Sequence, residues 1–251
     1  MAWITKNSQE EYQEKKTTRE YTKKEKAVNW WIYHKWMVLG IALGILLVAM
    51  IIKDTVFQVQ PDYQVAWVGK TELPTETYDG LTASLEAMGE DINGDGKVVV
   101  QLNQYTVIFN AAEEEASVDA NMQMAGMTKM SADLSGKSGS YIFIVQDPEG
   151  FETQTGILQY RDGTLPVLTG DQTAPADWQN CYYRWTDCPV LTGLDLGVVS
   201  GATLESGEPY TGQDVLENVY IGRRGIWKEE QAENYTGCAA LWDALTAGAT
   251  A

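Results

Sequence analysis

An uncharged apolar run near the N-terminus constrains this chain more than any other feature. Residues 36–52, WMVLGIALGILLVAMII, hold no charged side chain and are bracketed by Lys35 and Lys53. As a helix at ~1.5 Å per residue, the run covers about 25 Å, and flanking lysines and tryptophans let it match a hydrocarbon core of about 30 Å. The sequence therefore predicts one transmembrane helix over residues 35–53.

A cleaved signal peptide is the alternative to a permanent signal-anchor. The long charged segment before the run, and IIKDTVF after it where small residues would precede a cut, favour the anchor. Residues 1–35 carry eight Lys/Arg and five Asp/Glu, whereas residues 36–251 carry ten and thirty. The positive-inside rule then predicts a cytoplasmic charged tail at 1–34 and an extracellular domain at 54–251, in a single-pass protein of the cell membrane.

The excess of acidic over basic residues in the domain limits the classes of partner that it can bind. A surface with three times as many acidic as basic residues repels phosphate backbones, so we expect no nucleic-acid partner. The sequence contains a single histidine, His34, and it lies beside the apolar run. This position excludes a Ser/His or Cys/His nucleophilic pair and a histidine-ligated zinc site from the domain.

The sequence does not predict an enzyme. It contains neither a GxGxxG or GxxxxGK[ST] phosphate loop nor a GxSxG elbow. A pair of carboxylates for glycoside hydrolysis stays open, because acidic residues are abundant, but no spacing singles out a pair.

Alternating patterns beyond Lys53 predict an α/β fold. Strands are expected at YQVAWVG (63–69), KVVVQLNQYTVIF (97–109), SYIFIVQD (140–147) and NVYIGRR (218–224). Helices are expected where Tyr78, Leu81, Leu85 and Met88 share a face before a left-handed Gly89, and over 115–134 and 229–247. The βαβαβ order predicts a single domain with a mostly parallel sheet and helices on its faces.

The stretch EDINGDGKVVV, residues 90–100, has the spacing of a calcium loop. Positions 1, 3, 5 and 7 are Asp91, Asn93, Asp95 and the Lys97 carbonyl, with Gly96 at the sharp bend. Position 12 is Leu102 instead of the usual glutamate. The loop resembles those of dockerins and other extracellular calcium-binding loops, which implies a structural calcium ion. The alternative is a plain turn made of two turn dipeptides.

A second resemblance covers residues 62–152. The order of YQVAWVG, a helix, KVVVQLNQY and a helix leading to SGSYIFIVQDPEGF resembles the first lobe of extracellular solute-binding proteins of ABC importers. It implies a diverged relative or a single-lobe binding module. Ligands of such sheets bind at the carboxyl ends of parallel strands. The candidate ligand-site residues are therefore Gly69, Tyr105, Gln146 and Asp147.

The cysteines are too few for a disulfide scaffold. Cys181 and Cys188 could close a small local bridge or stay as thiols. Cys238 shares a helix face with Tyr235, Trp242 and Leu245, which predicts a buried, inert thiol.

Together these features predict a membrane-anchored extracellular binding module, stiffened by calcium. Its expected partners are the lipid membrane, through residues 35–53, and a small solute or an envelope protein. The alternative is a ligand-free structural or accessory subunit of an envelope or transport complex.

Overall fold

The predicted membrane segment is helical throughout. The computed structural model describes residues 21–56, 60–109, 120–136, 138–168 and 174–250, without the side chains of 54–56, 230 and 231. The chain divides into two compact units, Met1–Gln58 and Val59–Ala251. The first contains helix α1 (Lys23–Val56), whose apolar side chains are exposed. Among the described residues, α1 alone is long and apolar enough to cross a membrane, which is consistent with a single-pass membrane protein.

The second unit is a mixed α/β domain. Its strands are β1 (Tyr63–Gly69), β2 (Val100–Thr106), β3 (Ile142–Val145), β4 (Tyr182–Arg184), β5 (Val198–Thr203), β6 (Pro209–Thr211) and β7 (Tyr220–Arg223). Its helices are α2 (Thr75–Met88), α3 (Ala120–Ser135), α4 (Pro148–Thr155), α5 (Pro189–Thr192), α6 (Gly212–Val215), α7 (Glu229–Asn234) and α8 (Cys238–Leu245). Short 3-10 helices lie at Trp178–Cys181 and Trp185–Asp187.

The five strands of the main sheet lie in the order β2-β1-β3-β7-β4. Strand β1 is parallel to both β2 and β3, with Val65 opposite Leu102 on one side and Ile142 on the other. Strand β7 is antiparallel to β3 and to β4. The predicted α/β class and βαβαβ order are confirmed, but the sheet is mixed because its last two strands run against the others. Strands β5 and β6 pair separately.

Because side chains alternate between the two faces along each strand, the apolar residues of the sheet lie in two cores, one on each face. The first core contains Val65, Trp67 and Ile144 from the sheet, and α2 and α8 supply much of the rest. The second contains Val68 and Phe143, covered by residues of α3 and α4. Strands β1 and β3 are buried on both faces, which explains their nearly continuous apolar sequences.

Several element boundaries depart from expectation, and β3 and β7 are each shorter than the runs that predicted them. Gly89 ends α2 in an extended conformation, with φ −77° and ψ 165°, instead of a left-handed one. The expected terminal helix is divided into α7 and α8, because Gly237 adopts a φ of +87° between them. Strand β2 is shorter than the apolar run that predicted it. The first residues of the helix expected at 115–134 lie outside the described residues, and α3 begins at Ala120.

Candidate functional site

A cavity of about 440 Å³ lies at the edge of the sheet where the three parallel strands end. The crossover through α2 places β2 on one side of β1, and the crossover through α3 places β3 on the other. Open α/β sheets bind ligands at such a switch point, outside the carboxyl ends of the strands. The lining comes from residues 68–70, 107–109 and 146–149, with Trp178, Asn218 and Tyr220.

The Gln146 side chain joins two strand ends beside this cavity. Its Oε1 atom accepts a hydrogen bond from the Lys70 backbone N–H at 2.7 Å. The Gln146 backbone N–H donates to the Val68 carbonyl at 3.0 Å, and the Val107 N–H donates to the Gly69 carbonyl at 2.9 Å. Hydrogen bonds therefore connect all three strand ends, which gives the cavity a polar and well-ordered base.

Gly69 allows two side chains to approach the end of β1 closely. A Cβ atom at Gly69 would lie 2.7 Å from Cζ2 of the Trp67 ring and 2.8 Å from Oε1 of Gln146. The Trp67 ring cannot easily move away, because it is 1% exposed and its Nε1–H donates to the Thr71 carbonyl at 2.8 Å. A side chain at position 69 would therefore disturb the base of the cavity.

Asp147 begins helix α4 at the cavity wall. Its Oδ1 atom accepts a hydrogen bond from the Gly150 N–H at 2.9 Å, and Pro148 occupies the first turn, where its missing N–H is not needed. The exposed Glu149 adds a second carboxylate to that turn. The Asp147 and Glu149 carboxylates already compensate the positive end of the α4 dipole. We therefore do not expect an anion to bind at the start of this helix.

Gly69, Gln146 and Asp147 all line the cavity, as the strand-end argument expects. Tyr105 lies elsewhere: its side chain is 5% exposed and packs in the second core. Burial, reinforced by the Asp133 carboxylate, raises the pKa of its phenol above the ordinary value. Tyr105 therefore does not line this cavity. Strand β2 runs on to Thr106, and strand alternation turns Tyr105 inward.

Trp178, Asn218 and Tyr220 line the cavity without having been predicted from the sequence. Tyr220 begins β7 and Asn218 lies just before it; because β7 is antiparallel to β3, Tyr220 pairs with Val145, the last residue of β3. The strand itself was predictable from NVYIGRR. Its direction was not, because no local pattern distinguishes a parallel from an antiparallel neighbour.

Three aromatic rings pack against one another beside the cavity. The Tyr182 ring lies nearly perpendicular to that of Trp178, with centroids 6.2 Å apart, and to that of Tyr220, at 6.3 Å. The Tyr182 hydroxyl donates to the Pro148 carbonyl at 3.3 Å, and full burial raises its pKa well above the ordinary value. The Arg184 guanidinium lies 5.7 Å from the centroid of the Tyr220 ring, within the range of a cation–π contact.

A carboxyl group and a thiol are buried in the second core behind these rings. Glu152 of α4 is fully buried, and neither carboxyl oxygen has a hydrogen bond of normal geometry to the described residues. Burial raises the pKa of Glu152 to about 8, against a smaller lowering by the Leu158 backbone N–H. Burial and the nearby Glu152 raise the pKa of Cys181 to about 12. The thiol is therefore protonated and inert at neutral pH.

The predicted calcium loop is folded by its own hydrogen bonds. The side-chain oxygens of Asp91, Asn93 and Asp95 each accept from backbone N–H groups two to five residues later. The donors are the N–H groups of Gly94 and Gly96 to Asp91, of Asp95 to Asn93 and of Lys97 to Asp95, at 2.6–2.9 Å. Both glycines adopt a left-handed φ, of 76° and 86°. The loop precedes β2, so it lies at the sheet edge opposite the cavity.

Asp62, which lies just before β1, also hydrogen-bonds to the backbone of this loop. Its Oδ1 atom accepts from the Ile92 and Asn93 N–H groups at 2.9 and 3.0 Å, and its Oδ2 atom accepts from the Val99 N–H at 2.8 Å. Burial raises the pKa of Asp62, but these three N–H groups outweigh it and hold the pKa below the ordinary value.

The calcium donor set is only partly present. Across the ranges that the structure describes, no three or more His, Cys, Asp or Glu side chains come together as a metal site. Position 12 of the loop, Leu102, is buried in the first core and offers no oxygen. Calcium binding therefore stays a prediction of the sequence.

The three cysteines are free and buried. Cys181 packs in the second core and Cys188 in the first, on opposite faces of the sheet. The local bridge that their spacing allowed is not formed, because the short strand β4 between them separates the two thiols. Cys238 lies on the buried face of α8 with Trp242 and Leu245, as its helical spacing indicates.

Comparisons with known proteins identified no relative of this chain. No protein-family model, no curated protein and no solved structure matches the chain. The resemblances to solute-binding proteins and to calcium loops stay predictions, and function has to be inferred from the geometry of the site.

Proposed function

We propose that this protein is a membrane-anchored binding module, which holds a small solute or a short segment of a protein partner in the cavity at the strand ends. The observation that carries the proposal is the cavity of about 440 Å³ at the switch point of the sheet. Ligand sites typically measure ~300–1,000 Å³, and the carboxyl ends of the strands are their usual place in open α/β sheets.

The chemistry of the lining supports the same function. Val68, Val107 and Phe109 supply apolar surface, and Gln146 and Asn218 supply amide groups that both donate and accept hydrogen bonds. Apolar walls with a few well-placed polar groups are typical of small-molecule sites. Because hydrogen bonds between strand ends order the base of the cavity, binding would require little reorganisation.

The anchor supports an attachment to the membrane. Helix α1 is long and apolar enough to cross a bilayer, and lysines are concentrated on its N-terminal side. We place the binding domain on the extracellular side by the positive-inside rule. In that arrangement, the module binds its ligand outside the cell while attached to the membrane.

Binding to the full chain in lipid nanodiscs tests this function. The probes are a panel of amino acids, di- and tripeptides, and mono- to tetrasaccharides, screened by thermal shift and measured by calorimetry. We expect at least one probe to bind the wild type and to lose about ten-fold or more in affinity in Asn218→Ala, through the loss of a hydrogen-bonding group at the site. Gln154→Ala is the matched control, since Gln154 is an exposed amide of α4 outside the cavity.

Two results would contradict the proposal. One is a wild-type chain that binds none of the probes. The other is binding that Asn218→Ala and Gln154→Ala leave equally unchanged, which would place the ligand elsewhere and favour a scaffolding role.

A further inference from the structure

Two smaller cavities adjoin the one at the strand ends, and all three meet at Tyr220. One, of about 240 Å³, is lined by Arg184, Glu217 and Asn218, among others. Another, of about 270 Å³, is lined by Arg161, Trp178 and Tyr182, among others. Tyr220 lines all three cavities. We call these three cavities together the Tyr220 groove. Its extent suits a ligand with several linked units better than a single small solute.

The aromatic side chains of the groove are held in fixed orientations. Trp178 and Tyr220 are half-buried, and each packs edge-on against the buried Tyr182 ring. Tyr182 is itself held by its hydrogen bond to the Pro148 carbonyl. Rings that are half-exposed yet immobile provide flat apolar surfaces at little entropic cost. The C–H faces of pyranose rings are flat and apolar in the same way.

The charges of the groove are nearly balanced. Lys70, Arg161 and Arg184 are its cations, and its carboxylates belong to Asp147, Glu149, Asp187 and Glu217. The chain from residue 36 onward has three times as many acidic as basic residues, so this balance is unusual for the domain. A lining that carries both positive and negative charges, with no large excess of either, favours neither cationic nor anionic ligands. It suits a neutral ligand that carries many donors and acceptors.

The amides of the groove fit hydroxyl groups. Gln146, Gln179 and Asn218 can each donate and accept, as each sugar hydroxyl does. An extended peptide usually binds by adding to a free strand edge. The groove crosses the ends of β1, β3 and β7, and the one edge strand that lines it, β4, is only three residues long and offers a peptide little backbone to pair with. Its geometry therefore favours a glycan over a peptide.

We propose that the Tyr220 groove binds a neutral oligosaccharide. Trp178 and Tyr220 stack against sugar rings, and Gln146, Asn218 and Arg184 hydrogen-bond to hydroxyl groups. This inference rests on the proposed function, because the strand-end cavity is one part of the groove. It adds the chemical class of the ligand and the smaller cavities as further subsites.

An array of neutral, anionic and cationic oligosaccharides, probed with the full chain in nanodiscs, tests the inference. Bound glycans are then titrated against wild type, Trp178→Ala and Trp178→Phe. We expect neutral glycans to be preferred and their affinity to rise with the number of sugar units. Trp178→Ala should lose about ten-fold or more, and Trp178→Phe should recover most of the loss because it keeps a stacking ring.

Trp227→Ala is the matched control, because Trp227 is a 43% exposed tryptophan that lines none of the three cavities. Thermal unfolding of each variant separates loss of binding from loss of folding. A chain that binds no neutral glycan overturns the inference. If such a chain binds an amino acid or peptide, and Asn218→Ala abolishes that binding, the oligosaccharide is rejected while the proposed function stands.

Discussion

The Gln146 side-chain oxygen accepts a hydrogen bond from the Lys70 backbone N–H at 2.7 Å, across 76 positions of sequence. This contact joins the segment after β1 to the segment after β3 at the point where the sheet changes its direction of winding. The proposed ligand cavity depends on it, because the two strand ends together form its base.

Replacing Gly69 with alanine should destabilise the domain and weaken ligand binding. The added Cβ would press against the Trp67 ring and Gln146 Oε1. Overpacking of this kind costs ~1–3 kcal/mol, and each kcal/mol lowers the melting temperature by ~2–4 °C in a domain of this size. Thermal unfolding of the full chain measures the loss.

Gly193→Ala is the control for this substitution. A Cβ at Gly193 would make only ordinary contacts, of 3.4 and 3.5 Å, and its φ of −88° suits alanine. Equal melting temperatures for the Gly69→Ala and Gly193→Ala variants would contradict the close packing described at β1.

Replacing Glu152 with glutamine should make the domain less sensitive to alkaline pH. The carboxyl pKa is about 8 in the fold and 4.5 ordinarily, so between these values the folded chain holds a proton that the unfolded chain has released. Stability therefore falls as the pH rises from about 4.5 to about 8, and the loss persists above that range. Glutamine is neutral at every pH in this range, so the substitution removes this loss of stability.

Denaturant unfolding at about pH 5 and about pH 9 checks this prediction. The advantage of Glu152→Gln over wild type should be at least ~1.4 kcal/mol larger at the higher pH, equivalent to one unit of pKa shift. Glu149→Gln, in the same helix but exposed, should show no such difference. Parallel pH profiles for wild type and Glu152→Gln would show that the buried carboxyl does not titrate as described.

Calcium should raise the melting temperature of the full chain modestly. With an incomplete donor set, we expect a dissociation constant of ~0.1–1 mM, and calcium at ten times that value adds about 1.4 kcal/mol to stability. Asp95→Ala removes one predicted ligand and should abolish the shift. A wild-type melting temperature that is the same in calcium and in EDTA would remove the metal site and leave a hydrogen-bonded turn.

Asp62→Asn tests the loop independently of calcium. Asparagine keeps one carbonyl oxygen for the N–H groups of Ile92, Asn93 and Val99, which now share two carboxylate oxygens. We expect a loss of ~1–3 kcal/mol, measured by denaturant unfolding in EDTA, because the three N–H groups lose one of the two acceptors that the buried Asp62 carboxylate now provides. Asp162→Asn, at an exposed turn, should change stability much less.

Protease added to intact cells should digest the domain and spare the N-terminal tail. The lysine excess before α1 predicts that the tail is cytoplasmic. Immunoblotting with tags at both ends follows each part, and permeabilised cells provide the control in which both tags are lost. Loss of the N-terminal tag alone from intact cells would reverse the orientation.

Much of the chain's organisation follows from the sequence by itself. The apolar run at 36–52 suits a bilayer because every residue in it is uncharged, and a helix satisfies the backbone hydrogen bonds of such a segment within itself. The β-branched runs and the helical spacing between them predicted β1, β2 and β3 in their observed order, because strand and helix periodicities are local properties. These local patterns also placed Gly69, Gln146 and Asp147 at strand ends.

Only the tertiary structure decided what surrounds those residues. Trp178, Asn218 and Tyr220 join the site because β7 runs antiparallel to β3, and strand direction depends on long-range pairing that a local pattern does not encode. Strand β4, which pairs with β7, lies between Cys181 and Cys188, and the two thiols pack on opposite faces of the sheet although only six residues separate them. Side-chain periodicity is local, whereas a cavity is a property of which distant segments meet.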